Sequence, residues 1–295
     1  MVLNSLKEAF SCLKRYPFLL LSGIWVGCVV AAFGYCSVHG LEFYASTIGF
    51  FGVILFPFFV GASYEIINWG ESSLSAYVRG GLWRYFALLI PGAFLAFFGA
   101  IGILIFSLVF TAFGGGQNAL LMIVSVFWIF IPLIFFFFFY DAVAVLERKR
   151  GVFATLLQSV IFVRSHPFGV VGFYLVCFIL LVVVFMVSTF FVSLFFAGSI
   201  AFDPSLDVNT LMNMTLEEQQ ALIGDDGMDI IVALYAVVAG LFTAILLPFK
   251  ASFYLRHVEA VDDDNQEEMI GGEIIDEEMM EGGVYDEKGR WYKYS

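Results

Sequence analysis

Six long apolar runs dominate the chain. Pro17–Cys36, Tyr44–Tyr64, Tyr85–Phe113, Ala119–Tyr140, Pro167–Phe202 and Ile230–Phe249 contain no Asp, Glu, Lys, Arg or His. A helix needs about 20 apolar residues to cross a bilayer core roughly 30 Å thick. Each run meets that length, and two exceed it, so their ends belong to interface or loop. Backbone polar groups in hydrocarbon need internal partners, which a helix supplies within each segment. The short alternating strands of a barrel are absent from the pattern. The expected fold is all-α transmembrane, a bundle of six helices. The first run reads as a retained span, because it continues into Ser37-Val38-His39-Gly40, which is no small-residue cleavage site.

Between the runs the period changes. Leu3, Leu6, Phe10 and Leu13 repeat at helical steps, with Asn4, Lys7, Glu8, Ser11 and Lys14 opposite. That pattern predicts a helix lying on the membrane surface, ahead of Pro17. Phe153, Leu156, Val160 and Val163 repeat it, followed by Pro167-Phe168 where the first copy has Pro17-Phe18. A weaker middle copy starts at Leu74-Ser75-Ala76-Tyr77 and is interrupted by Gly80-Gly81. The pattern therefore predicts an internal repeat. Three units, about 1–69, 70–148 and 149–258, would each be an interfacial amphipathic helix followed by a two-span hairpin.

The second helix of each hairpin carries a proline, Pro57, Pro132 or Pro248. A proline removes one helix hydrogen bond and tends to kink a span. After them come Tyr64-Glu65, Tyr140-Asp141 and Tyr254. Tyrosine suits the headgroup level. Glu65 and Asp141 read as markers of the membrane boundary, with joint binding of a cation as the alternative. Small residues recur at four-residue steps: Gly23, Gly27 and Ala31; Gly92, Ala96 and Ala100; Ala236, Gly240 and Ala244. Such rows let backbones approach closely, so they are the expected helix-packing faces.

Charge then orients the bundle. All 14 Lys and Arg fall before the first run, in the second and fourth connections, or after the last run. Basic residues favour the cytoplasmic face, which puts both termini in the cytoplasm of a multi-pass cell-membrane protein. The net charge is −12, and Glu259–Ser295 alone holds 13 acids and three bases. The acidity therefore belongs to a cytoplasmic tail, and nucleic acid is not an expected partner. Much of that tail reads as disordered, broken at Gly271-Gly272 and Gly282-Gly283. Its end, Val284–Tyr294, reads as strand, turn and strand. Tyr285, Arg290, Trp291, Tyr292 and Tyr294 would form an aromatic, basic hook for a cytoplasmic protein partner.

The one long external loop, 197–228, carries a sequon at Asn213 and a Thr215/Glu218 capping box before a short helix ending near Gly224. Asp225, Asp226 and Asp229 lack the spacing of a calcium loop and read as solvated. Cys12, Cys28, Cys36 and Cys177 have no metal-like spacing and read as packing residues, and His39, His166 and His257 as interfacial ones. The chain has no phosphate-binding loop, no GxSxG elbow and no HExxH pair. No cofactor is expected and an enzyme is disfavoured. The span centres hold no charge, which disfavours ion-driven transport.

The junction Leu13-Lys14-Arg15-Tyr16-Pro17-Phe18, and the stretch Tyr140-Asp141 through Glu147, Leu156, Arg164 and His166-Pro167-Phe168, resemble prokaryotic, especially archaeal, multi-span proteins of unknown function. Those proteins are similar to the membrane domain attached to some glycerophosphodiester phosphodiesterases. The resemblance covers about residues 1–258 and implies no catalytic or binding residue, because the phosphodiesterase catalytic domain is not present in this chain. Two functions are expected: a non-enzymatic scaffold bound to the bilayer that docks a partner through its tail, or a permease or transporter subunit for a small or lipid-like substrate.

Overall fold

The computed structural model describes residues 2–112, 131–147, 151–196, 216–272, 283–285 and 291–293. These are helical apart from short links and two three-residue strands. In chain order they form α1 (Val2–Arg15), a 3-10 turn (Pro17–Leu19), α2 (Leu20–Val38), α3 (Glu42–Trp69), α4 (Leu74–Ala112), α5 (Tyr140–Leu146), α6 (Val152–Ser165), α7 (Pro167–Phe196), α8 (Leu216–Gly272), β1 (Gly283–Tyr285) and β2 (Trp291–Lys293). Residues 131–137 are also helical, ahead of α5.

Five helices are long and apolar enough to cross a membrane: Pro17–Val38, Glu42–Trp69, Leu74–Leu108, Pro167–Leu194 and Gly227–Val258. The sixth expected span, Ala119–Tyr140, lies largely outside the described residues. Asn213 and Thr215 lie outside them too. In each of the five windows only 17–28% of residues are buried. Most apolar side chains are therefore half-buried or exposed, with Phe43, Val53 and Phe168 among the most exposed. Such continuous apolar exposure is a liability in water and neutral in lipid.

Local chemistry explains the boundaries. Pro17 at the start of the 3-10 turn fits a first helical position, where no backbone N–H is needed. Gly70 ends α3 in the left-handed region at φ 70°, which favours glycine. Ser73 caps the next helix, its Oγ accepting from the Ala76 N–H at 3.1 Å.

Three expected boundaries are corrected. The middle surface helix is not separate: α4 runs unbroken from Leu74 through Gly80-Gly81 into its span. The glycines are there for contact, not for a turn. A Cβ on Gly80 would lie 2.8 Å from Glu65 Cβ, and one on Gly81 would strike the Phe58 ring. The helix expected to end near Gly224 instead continues as α8, and the tail helix persists to Gly272. A helical glycine costs about 1 kcal/mol relative to alanine, which neighbouring helix formers offset.

The chain forms two units, Met1–Tyr254 and Leu255–Ser295. In the first, α3 packs against both α2 and α4. Tyr16, Leu19, Ala62, Ile66 and Tyr77 make one buried cluster there. A second cluster is aromatic. Phe139 meets Phe162 at 4.9 Å and Phe253 at 5.7 Å between ring centroids, and Phe173 stacks on Phe249 at 4.6 Å. Such pairs contribute about 0.5–1.5 kcal/mol beyond area burial. The second unit contains the end of α8 and the β1–β2 pair. The strands are antiparallel, with Val284 opposite Tyr292 and Tyr285 opposite Trp291. Arg290 and Tyr294 lie outside the described residues.

Helices α1 and α6 form over the residues where periodicity predicts surface helices, but their buried faces differ from the simple pattern. In α1 the buried residues are Ser5 and Ala9, while Leu3 and Phe10 stay exposed. Small residues are the most deeply buried, Leu6 and Leu13 of the stripe are half-buried, and Leu13 packs against the buried cluster around Tyr16. In α6 the buried face is Thr155, Leu156, Ser159, Phe162 and Val163, and Phe153 is exposed.

Candidate functional site: a layer of paired charges

Four acid-bearing contacts converge where α3, α4, α5 and α8 meet. Tyr64 and Glu65 are neighbours on α3 and reach in different directions. Glu65 Oε1 accepts from Arg84 Nε on α4. The Tyr64 hydroxyl donates to Asp141 Oδ2 on α5 at 3.2 Å. Asp141 Oδ1 accepts from the Ala142 N–H at 2.8 Å and lies 2.5 Å from Lys250 Nζ on α8. Tyr254, one turn further along α8, donates to Glu147.

The groups are deeply buried. Glu65 is 0% exposed, Arg84 8%, Asp141 8% and Lys250 4%. An isolated charge at such depth costs several kcal/mol, so burial holds only because each ion meets an opposite ion. Lys250 has further company, its ammonium 3.9 Å from the centre of the Phe138 ring, an attractive placement over an aromatic face.

Glycines make the approach feasible. A Cβ on Gly61 would sit 2.9 Å from Arg84 Cβ, just as one on Gly80 would crowd Glu65. Two helices thus each lend a glycine to the other's charged residue. Gly92 does the same for Tyr140, whose hydroxyl would be 2.9 Å from an added Cβ.

This arrangement corrects the cation reading of Glu65 and Asp141. Each carboxylate is neutralised by its own basic residue, so they share no site for an ion. Among the described residues no group of three or more His, Cys, Asp or Glu can hold a metal. Lys250, read from charge as following the last span, lies inside the span Gly227–Val258. Arg84, Lys250 and Glu147 are the members of this layer that the sequence reading missed. For Arg84 and Lys250 the signal was only that each Tyr-acid step needs some buried counter-charge once its helix packs, without saying which; Glu147 carried none.

The packing rows behave unequally. A Cβ on Gly23 would collide with the Gly240 carbonyl oxygen and come within 2.7 Å of Ala244 Cβ; one on Gly27 would lie 3.1 Å from the Ala236 carbonyl oxygen. The rows of α2 and α8 therefore face each other, and Ala31 lines the same seam. The α4 row does not act as one face: Gly92 meets Tyr140, Ala96 borders a cavity, and Ala100 is exposed. Pro57 and Pro248 sit inside α3 and α8. Pro132 lies in the helical residues 131–137, and the turn that follows is at Phe138-Phe139.

Two cavities adjoin the charged layer. One, about 620 Å³, is lined by Glu65, Arg84, Trp69, Trp83 and residues of α4 and α6. The other, about 380 Å³, has Asp141, Lys250 and Tyr140 against walls such as Phe56, Leu133 and Leu246.

Cys12, on α1, is half-buried. Burial pushes its thiol up, and the Glu8 carboxylate adds to this against the opposing pull of Arg15 and Ser252. Less thiolate is then present at neutral pH. In a background with Cys28, Cys36 and Cys177 changed to serine, alkylation of Cys12 is expected to be slow at pH 7. Its onset should lie above that of an unperturbed thiol, as read from a rate-versus-pH series.

Comparison of the chain with protein-family models, with curated proteins and with solved structures finds no match.

Proposed function

We propose that the chain is a non-enzymatic scaffold of the cell membrane, a six-span bundle of three hairpins with both termini in the cytoplasm. The observation that carries this reading is the paired charge layer. Its four partners, Glu65, Arg84, Asp141 and Lys250, come from all three candidate units: Glu65 from the first, Arg84 and Asp141 from the second, Lys250 from the third. Charges arranged this way pin helices to one another. A transport pathway needs charges that change partners, and a hydrolase needs a nucleophile beside a base.

Position supports the same picture. Arg84, Asp141 and Lys250 lie at the ends of runs that the positive-inside rule assigns to the cytoplasm. His39 and Asp229, at the opposite ends of α2 and of the α8 span, approach within 3.9 Å of each other. The strands around Tyr285 and Trp291 support a docking tail, because a lone two-stranded hairpin is barely stable in water and gains by covering its aromatic rings.

The test has two arms. Cysteines placed at Thr215 and at Trp291 are expected to be labelled from opposite sides of sealed membranes; labelling from one side would end the six-span topology. Purification of the full chain should bring down a cytoplasmic protein that is lost when Val284–Ser295 is deleted, and loss of no protein would end the docking role.

The permease reading keeps one favourable observation, the cavity bordered by Asp141 and Lys250 among apolar walls. It requires a substrate whose addition raises the melting temperature of the purified protein. The scaffold reading expects no such shift from a panel of small solutes.

A further inference from the structure

The larger cavity holds an unmet electrostatic demand. Glu65 uses Oε1 for Arg84, and its other oxygen, Oε2, is buried with no hydrogen-bond partner. A buried carboxylate oxygen without a donor costs several kcal/mol, so a donor belongs there. Arg84 lines the same cavity with only its Nε committed to Glu65. A guanidinium has further N–H donors in a fixed fork that matches phosphate oxygens. Among the described residues lining the cavity, Arg84 is the one cation, with donors to spare, beside Glu65, the one anion, with an acceptor to spare.

The walls add a third feature. Along α4 the cavity continues past Phe86 to Ile90 and Pro91, and Phe86 and Ile90 are exposed to the exterior of the bundle. The cavity therefore combines the charged pair with apolar residues of α4 that are exposed on the outside of the bundle. A free phosphate or amino acid has nothing to place on those residues. A lipid has.

We propose that this cavity binds an aminophospholipid of the cytoplasmic leaflet. Its phosphate sits on Arg84, its primary ammonium donates to Glu65 Oε2, and an acyl chain lies along Phe86, Ile90 and Pro91. The match is one of charge order, since a zwitterionic headgroup pairs with the Glu65–Arg84 couple and leaves that couple neutral. The glycerol headgroup of phosphatidylglycerol would satisfy Arg84 but offers Oε2 only a neutral hydroxyl in place of a charged donor. A choline headgroup carries the positive charge but has no N–H to give. The proposal uses the membrane placement of the spans and is independent of the scaffold role.

Native mass spectrometry of the full chain in detergent tests it, with dioleoyl phosphatidylethanolamine, phosphatidylcholine, phosphatidylglycerol and inorganic phosphate added separately. Phosphatidylethanolamine is expected to bind about tenfold more tightly than phosphatidylcholine, the effect of about one charged hydrogen bond. Inorganic phosphate should not register as an adduct. Arg84→Gln should weaken both phospholipids. Because that change also breaks a buried pair, Ala87→Phe and Ile90→Trp, which fill the cavity and leave the pair intact, supply the second measurement. Either is expected to reduce phosphatidylethanolamine binding at least tenfold while the protein still elutes as the parent does. Equal binding of the ethanolamine and choline lipids overturns the assignment. So does undiminished binding by folded Ala87→Phe and Ile90→Trp variants, or retention of inorganic phosphate as strongly as lipid.

Discussion

Lys250→Met is expected to lower the stability of the purified protein by about 3–5 kcal/mol, the loss typical when one partner of a buried ion pair is removed. The carboxylate of Asp141 would remain, 8% exposed, with only the Tyr64 hydroxyl and the Ala142 N–H as donors. The ammonium it loses lies 2.5 Å away and contributes most of the compensation. The cost is that of stranding a charge, so it should disappear when the charge does. Asp141→Asn combined with Lys250→Met removes both ions and keeps an acceptor for Tyr64. The double variant is expected to regain most of the loss, with a coupling energy of at least about 2 kcal/mol. Thermal unfolding in detergent, followed by tryptophan fluorescence, measures both. Equal instability of the single and double variants would show that volume rather than charge governs the position.

The same residues mark where the sequence was and was not legible. Hydropathy located the five long apolar helices among the described residues, because burial in lipid demands a long apolar run whatever the partner helix is. The spacing of small residues located the α2–α8 seam, because close approach needs absent side chains at every turn. The Tyr-acid steps at Tyr64-Glu65 and Tyr140-Asp141 were visible too, but their partners were not. Asp141 finds its hydroxyl donor 77 residues away. Nothing in local periodicity encodes such a distance. The positive-inside rule then misled in detail, since it treats each Lys or Arg as a marker of side. It treated Lys250 and Arg84 as residues outside the spans and concealed that both are buried.

Glycine was the second source of error. Gly80-Gly81 and Gly224 read as breaks because glycine is a poor helix former by about 1 kcal/mol per residue. Tertiary contact outweighs that. At Gly80 the missing Cβ is what lets Glu65 pass, and the helix pays a small local cost for a buried ion pair. The amphipathic pattern of α1 failed more subtly. Of the predicted stripe, Leu13 does pack against the bundle while Leu3 and Phe10 stay exposed, and the most buried residues are Ser5 and Ala9, which carry little signal on a hydropathy scale. A helix lying between protein and lipid has two apolar surroundings, and only one of them selects for large side chains.

Gly23→Val tests the seam where backbone meets backbone. Even a single Cβ there would collide with the Gly240 carbonyl oxygen, and Ala244 Cβ would stand 2.7 Å away. Neither obstacle is the end of a flexible side chain, so relief requires α2 and α8 to separate. Overpacking of this kind costs about 1–3 kcal/mol and more where backbone must move. Gly240→Val should behave alike, since a Cβ there would lie 2.9 Å from the Gly23 carbonyl oxygen. The two changes press on one contact, so together they should cost less than the sum of their separate effects. Ala100→Val is the matched control: it belongs to the row on α4 with the same four-residue spacing, but it is exposed. Its expected effect is within about 0.5 kcal/mol. Equal melting temperatures for Gly23→Val and Ala100→Val would mean that α2 and α8 do not pack through these rows. The helix that brings Lys250 to Asp141 would then lack its closest support.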